Sequence, residues 1–233
     1  MKLSNQLLSL FKGNEKVISI TGAGGKTSLL ILLAAAYKAQ GKSVLLTTTT
    51  KIQSPKLFNF GQDHYFLNET EALSYFPIKG EVVFYSELHL MDPKKCIAPR
   101  LEVLSILAKR YDVVLVEADG AKRLPLKVHT ERDPVIIDET TASLAVMGAS
   151  SLGLKGDNVC FGLDSPLTVD FDFFQHLINA EEGALKGLTG KKVLLINQVD
   201  LLSLEKLQNL KQLQLPEDVT LILGSVVKDE SYV

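Results

Sequence analysis

A three-layer α/β fold, with a mostly parallel sheet covered by helices on both faces, is the architecture this sequence predicts. Two observations carry the expectation. Short, near-continuous apolar runs recur along the chain, and helical patterns stand between several of them. Strands read this way when helices cover both faces of a parallel sheet. The chain also has 233 residues, 46% of them hydrophobic and 22% charged, which suits one domain with a sizeable core.

Taken in order, "SNQLLSLF" predicts a short amphipathic helix capped by Ser4, with Leu7, Leu8, Leu10 and Phe11 facing inward. "KVISI" (16–20) follows as a buried strand. "GKTSLLILLAAAYKAQG" follows as a helix closed by Gly41. "SVLLT" (43–47) is the next strand, and a strand–helix–strand unit of this spacing makes its strands parallel. Further strands are expected at "HYFL" (64–67), "EVVFY" (81–85), "DVVLVE" (112–117), "SLAVMG" (143–148), "KVLLIN" (192–197) and "VTLILG" (219–224). Helical patterns lie at 99–110, 171–185 and 202–213. Residues 118–170 are richer in loops and are expected to form a lid or small subdomain within a single domain spanning 1–233.

Composition narrows the function classes. A net charge of −2 gives no reason to expect a nucleic-acid or membrane partner. Cys96 and Cys160 lie far apart and outside any CxxC pattern, which predicts free thiols in a reducing compartment. The apolar stretch near the N-terminus is too short for a signal peptide, and "LLILLAAA" is too short to span a bilayer. A cytoplasmic location is therefore expected.

The chemistry begins at "ISITGAGGKTSLL" (18–30). The usual phosphate-binding signature is G-x-x-x-x-G-K-[ST], and Ile20 stands where its first glycine belongs. The context still argues for phosphate. "TGAGGKTS" sits between a strand and a helix, where glycines allow backbone N–H groups to face phosphate oxygens and the helix start adds partial positive charge. Gly22, Ala23, Gly24, Gly25, Lys26, Thr27 and Ser28 form this cradle. Lys26 would reach the β and γ phosphates, and the Thr27 hydroxyl would ligate Mg²⁺. Thr21 to Thr27 also resemble the compact T-G-x-x-G-K-[ST] loop of Mur-type ligases. The fold class is therefore of P-loop NTPase type.

Ligands of open parallel sheets gather at the carboxyl ends of strands. Three such ends carry candidates. In "LLTTTTKI", Thr47 to Thr50 and Lys51 would line the nucleotide site, with Thr48, Thr49 and Lys51 as contacts. In "VVLVEADGAKRLPLK", Glu117 closes an apolar strand in the manner of a Mg²⁺-holding acid, and Asp119 follows it. One of the two would bind metal while the other polarises water or substrate. Lys122, Arg123 and Lys127 would stabilise developing charge or hold an anionic substrate, or else form a solvated basic loop. In "INQVD", Asn197 and Asp200 match the N-K-x-D pattern that selects guanine, with Gln198 in place of lysine. The four histidines show no metal-ligand spacing and are read as isolated.

Together, "VISITGAGGKTSLL", "GKSVLLTTTTKI", "VVLVEADGAKRLPLK", "EEGALKGL" and "VLLINQVDLL" resemble the YqeC family. The resemblance runs from about residue 15 to beyond residue 200, and the "TTTTK" and "EADGAKRLPLK" segments are its most specific parts. It implies a P-loop NTPase-like fold and an accessory role in maturing a selenium-dependent molybdenum hydroxylase. The implied partners are a nucleotide and either the client hydroxylase or its cofactor-maturation proteins. The matching positions are Gly22 to Thr27, Thr47 to Lys51, Glu117, Asp119, Lys122, Arg123, Asn197 and Asp200.

The leading expectation is an Mg²⁺-dependent GTPase or ATPase, with GTP favoured. Lys26, Glu117, Asp119 and Arg123 would be its catalytic groups, and Thr27 and Glu117 its metal ligands. Two other readings stand beside it: a small-molecule kinase or ATP-dependent ligase acting on a cofactor precursor, and a non-catalytic nucleotide-binding scaffold.

Overall fold

The computed structural model describes residues 1–232. Its strands are β1 (Val17–Gly22), β2 (Val44–Thr48), β3 (Ile52–Gln53), β4 (His64–Phe66), β5 (Val82–Tyr85), β6 (Glu87–Leu88), β7 (Lys95–Ile97), β8 (Val113–Glu117), β9 (Leu126–Lys127), β10 (Ala142–Gly148), β11 (Cys160–Phe161), β12 (Lys191–Asn197), β13 (Val219–Ser225) and β14 (Glu230–Ser231). Its α-helices are α1 (Leu3–Leu10), α2 (Lys26–Ala39), α3 (Glu69–Ser74), α4 (Leu101–Ala108), α5 (Gly156–Val159), α6 (Phe171–Asn179) and α7 (Leu204–Leu210).

Nine strands form one sheet in the order β14-β13-β12-β10-β1-β8-β2-β5-β4. Every neighbouring pair is parallel except β13 with β14. Side chains alternate across the pleat, so each apolar strand serves two cores. Ile18, Ile20, Leu144 and Val146 face α1 and α2, where Leu3, Leu7, Leu29 and Leu33 are fully buried. Ala145, Met147 and Leu194 face the other way, toward Phe174 of α6 and Leu210 of α7. Val114 and Val116 face that way too, toward Val103 and Leu107 of α4. Each fully buried leucine contributes about 1.5–3 kcal/mol. This is the expected three-layer α/β arrangement.

Two local expectations need correction. Ser4 does not cap α1 from outside; it lies within the first turn, and the helix has no side-chain cap at Lys2. The Ser4 N–H and hydroxyl instead donate to the two carboxylate oxygens of Asp229, at 2.7 and 2.9 Å. The helix expected over 171–185 ends at Asn179. There Ala184 N–H donates to the Leu177 carbonyl at 2.7 Å, folding the chain back onto the helix end. A Cβ on Gly183 would meet that same carbonyl oxygen at 2.0 Å, so glycine permits the return.

The connections position the site. From β1 the chain crosses through α2 to β2 on one side, and β8 later slots between them. After β8 the chain moves to β10, on the opposite flank of β1, and continues outward to β12 and β13. The carboxyl end of β1 is thus a switch point, where a crevice opens. Just past the ends of β2 and β5, β3, β7 and β6 form a separate antiparallel ribbon. Residues 118–170 contain β9, β10, α5 and β11, and β9 pairs in parallel with β11.

Candidate functional site

The phosphate-loop sequence leaves β1 at Gly22 and enters α2 at Lys26. Gly22, Gly24 and Gly25 all have positive φ (87°, 84° and 125°), a backbone region that disfavours side chains. Space compels glycine as well. A Cβ on Gly22 would lie 2.3 Å from the Val146 carbonyl oxygen, and one on Gly24 would lie 2.5 Å from the Gly148 nitrogen. Ile20, at the place of the missing first glycine, is fully buried inside β1, so the loop starts later than the longer signature would have it.

Not every loop N–H faces the crevice. Ala23 donates to the Val146 carbonyl (2.8 Å), Gly24 to that of Leu124 (3.0 Å), and Gly22 to Asp119 Oδ2 (2.9 Å). At the start of α2, Leu29 is the first residue to bond back, to Gly25 (2.9 Å). Gly25 provides no side-chain cap, which leaves the opening amides of Lys26, Thr27 and Ser28 without an intrahelical acceptor. An anion is the natural partner of such a helix start.

Two acids separate into two environments. Glu117, at the end of β8, accepts the Thr27 hydroxyl at 3.0 Å. Burial pushes its carboxyl up from the usual range, against the opposing pull of Lys26 and Thr27. Asp119 is nearly inaccessible and is surrounded by donors. Lys26 Nζ lies 3.0 Å from its Oδ1, while Oδ2 meets His129 Nε2 at 2.8 Å and Lys127 Nζ at 3.2 Å. Burial alone would raise the Asp119 carboxyl. The His129 hydrogen bond, Lys26, Lys127 and the Gly22 N–H outweigh it and hold the pKa down to about 2. Lys26 Nζ also donates to the Gly22 carbonyl at 2.5 Å, so its ammonium is folded over the loop.

A cleft of about 510 Å³ opens over this loop. Gly24, Gly25, Lys26, Thr27, Ser28, Glu117, Lys51 and Arg123 line it, together with Lys95, Lys122, Gln53, Phe58 and Gln198. Thr48 and Thr49 of "TTTTK" point elsewhere. Thr48 Oγ1 donates to the Glu117 carbonyl (2.9 Å) and Thr49 Oγ1 to that of Val135 (2.6 Å), and neither lines the cleft. Asn197 acts as a tie. Its amide donates to the Gly24 carbonyl (2.7 Å) and accepts from Val226 N–H (2.9 Å), joining the loop to the end of β13. Asp200 lies 3.4 Å from Lys228 Nζ, outside the cleft lining. Gln198 adopts a left-handed backbone and accepts the Ser150 hydroxyl at 2.7 Å.

His129 and the buried role of Lys127 escaped the sequence reading. His129 is 3% exposed, with Nδ1 at 2.8 Å from the Gly183 carbonyl, and Lys127 also pairs with Asp133. No spacing pattern links His129 to Asp119. The one available signal was a cluster of ionisable residues just beyond an apolar strand.

Most of the segments that build this site lie within the part of the chain that matches a known family. The family described as YqeC protein matches residues 18–164, from the second residue of β1 to just past β11. The chain belongs to the YqeC family. An uncharacterized protein YqeC of Escherichia coli (strain K12) is 32% identical over 187 residues, covering 74% of this chain and 71% of that one. No solved structure matches the chain. The YqeC match takes in Lys26, Glu117, Asp119, Lys127 and His129, and it ends before Asn197 and Asp200.

Proposed function

We propose that this YqeC-family protein binds a nucleoside triphosphate with Mg²⁺ and hydrolyses it, with GTP favoured over ATP. In this reading it is an accessory protein in the maturation of a selenium-dependent molybdenum hydroxylase, as the sequence resemblance implies. The observation that carries the nucleotide reading is the uncapped start of α2. There, the Lys26 ammonium and the Thr27–Glu117 contact of 3.0 Å belong to the same first turn as the backbone amides that lack an intrahelical acceptor.

The donor set suits the ligand. Thr27 and Glu117 offer two hard oxygens, and Mg²⁺ takes few protein ligands when phosphates and waters supply the rest. Among the described residues, no group of three or more His, Cys, Asp or Glu side chains converges to hold a metal, so phosphate oxygens would have to complete the shell. Bound there, the metal would neutralise charge on the β and γ phosphates. Lys26 would hold the same phosphates, and the α2 amides would orient them. Asp119 would keep Lys26 and Gly22 in register as a positioning group, since its Oδ2 accepts the Gly22 N–H and its Oδ1, which accepts no hydrogen bond, is ion-paired with Lys26 at 3.0 Å.

The guanine preference rests on Asp200, whose carboxylate would accept from guanine N1–H and the 2-amino group once Lys228 moves aside. The test is equilibrium binding of Mg-GTP and Mg-ATP to wild type, Lys26→Ala and Asp200→Ala. Tight Mg-GTP binding should fall by about tenfold or more in Lys26→Ala, and Asp200→Ala should lose the preference for GTP over ATP. Failure of wild type to bind either nucleotide overturns the reading. A kinase or ligase reading is favoured by one observation, the cations on the far rim of the cleft.

A further inference from the structure

The cleft has two halves. Gln198 marks the half beyond β12, on the side of Asn197 and Asp200, where the reading above puts the base. The other half lies over the ends of β8 and β2, beneath the β3–β7–β6 ribbon, and a nucleotide extending toward Asp200 leaves it open.

That second half is unusually cationic for a chain of net charge −2. Lys51, Lys95, Lys122 and Arg123 all line it, and all four are exposed. Among the described residues, none of them has a carboxylate within ion-pair distance. Glu117, the one acid in the lining, is engaged by Thr27. Gathering like charges without counter-ions is unfavourable, and it is relieved when an anion binds between them.

The backbone holds the cluster at a further cost. Lys122 and Arg123 are consecutive non-glycine residues with φ of 47° and 65°, a strained conformation that persists only where its surroundings impose it. On the ribbon, Gln53 sits directly opposite Lys95, so their side chains share one face. The Gln53 amide oxygen lies 3.5 Å from Arg123 Nη2, which draws ribbon and loop together. Phe58 adds an apolar surface to the same wall.

Building on the nucleotide reading, we infer that the ribbon half of the cleft binds a second, polyanionic small molecule while nucleotide occupies the loop. Its clustered phosphates or carboxylates lie among Lys51, Lys95, Lys122 and Arg123, and its less polar part rests on Phe58. The protein is then a two-ligand device, and the second ligand is what the nucleotide acts upon or reports.

The test loads wild type with a fluorescent, non-hydrolysable guanine nucleotide and Mg²⁺, then titrates with pyrophosphate and, separately, citrate. A Gln53→Glu/Lys95→Glu variant is titrated alongside; both side chains stand on the ribbon, outside the Gly22–Thr27 loop. Binding to loaded wild type should weaken by about tenfold or more in this variant, with nucleotide affinity held within about threefold. Pyrophosphate without citrate would assign the site to phosphoryl groups; binding of both would assign it to clustered anions generally. The inference is overturned if loaded protein binds neither probe, if pyrophosphate merely displaces the fluorescent nucleotide, or if the variant loses nucleotide affinity in parallel. Titration of nucleotide-free Lys26→Ala separates the two claims. Pyrophosphate binding there that the ribbon substitutions abolish upholds the rim site even if no nucleotide binds wild type.

Discussion

At Asp119, two lysines, a histidine and a backbone amide converge on one buried carboxylate. Replacing Asp119 by Asn would leave Lys26 and Lys127 facing a neutral amide in a buried setting, at a cost of about 3 kcal/mol, readable as a fall in the urea midpoint. The sign of the pH dependence follows from the depressed pKa. A carboxyl that titrates at 3.8 when unfolded and about 2 when folded stabilises the fold above the higher value, and loses that contribution as pH falls through the lower. The stability gap between wild type and Asp119→Asn should therefore narrow as pH is lowered from about 4 toward 2 in metal-free protein. A gap that stays constant across that window would refute the proposed charge state. Asp119 itself was legible as an acid beyond an apolar strand. That His129 would join it was not, because His129 lies ten residues on, in a loop held by hydrogen bonds to the Glu182 and Gly183 carbonyls.

Among the elements, α1 shows how a cap can come from the far end of the chain. Asp229, at φ 52° in the turn between β13 and β14, takes both the N–H and the hydroxyl of Ser4, and its own carbonyl accepts Leu3 N–H at 3.2 Å. Asp229→Ala should lower stability by about 1–2 kcal/mol, the usual loss on removing a capping side chain, measured by thermal or urea unfolding. Nucleotide affinity should not change, since α1 lies away from the cleft. The sequence offered Ser4 because serine before an apolar helical pattern is a capping signal; a partner 225 residues away leaves no local mark. The main-sheet strands read well for the opposite reason. A strand buried on both faces is apolar almost throughout, and that pattern is local.

For the whole molecule, strand–helix alternation foretells a parallel sheet and right-handed crossovers, but not that β8 lies between β1 and β2. That order depends on which apolar faces fit together, and it brings Glu117 alongside Ile20, within reach of Thr27. The loop is clamped between β10 and the segment after β8, so its glycines answer to the global fold. Gly24→Ala would drive a Cβ to 2.5 Å from the Gly148 nitrogen on top of a left-handed backbone. We expect loss of nucleotide binding and a destabilisation of about 1–3 kcal/mol or more. Gly41→Ala is the control. Its φ is also positive (73°) but nothing lies within 4 Å, so it should cost about 1–2 kcal/mol and leave binding intact. Equal effects at the two positions would show that backbone conformation, not the clamp, decides.

The two borders of the sheet have a consequence for how this protein meets other proteins. One border is β14, two residues long, and the other is β4, three residues long. Borders this short offer few unpaired backbone groups, so a neighbouring chain gains little by zipping on as an extra strand. That protects the molecule from edge-to-edge aggregation. It also implies that a protein docking on this molecule recognises side chains and loop shape, not an extended backbone laid along the sheet.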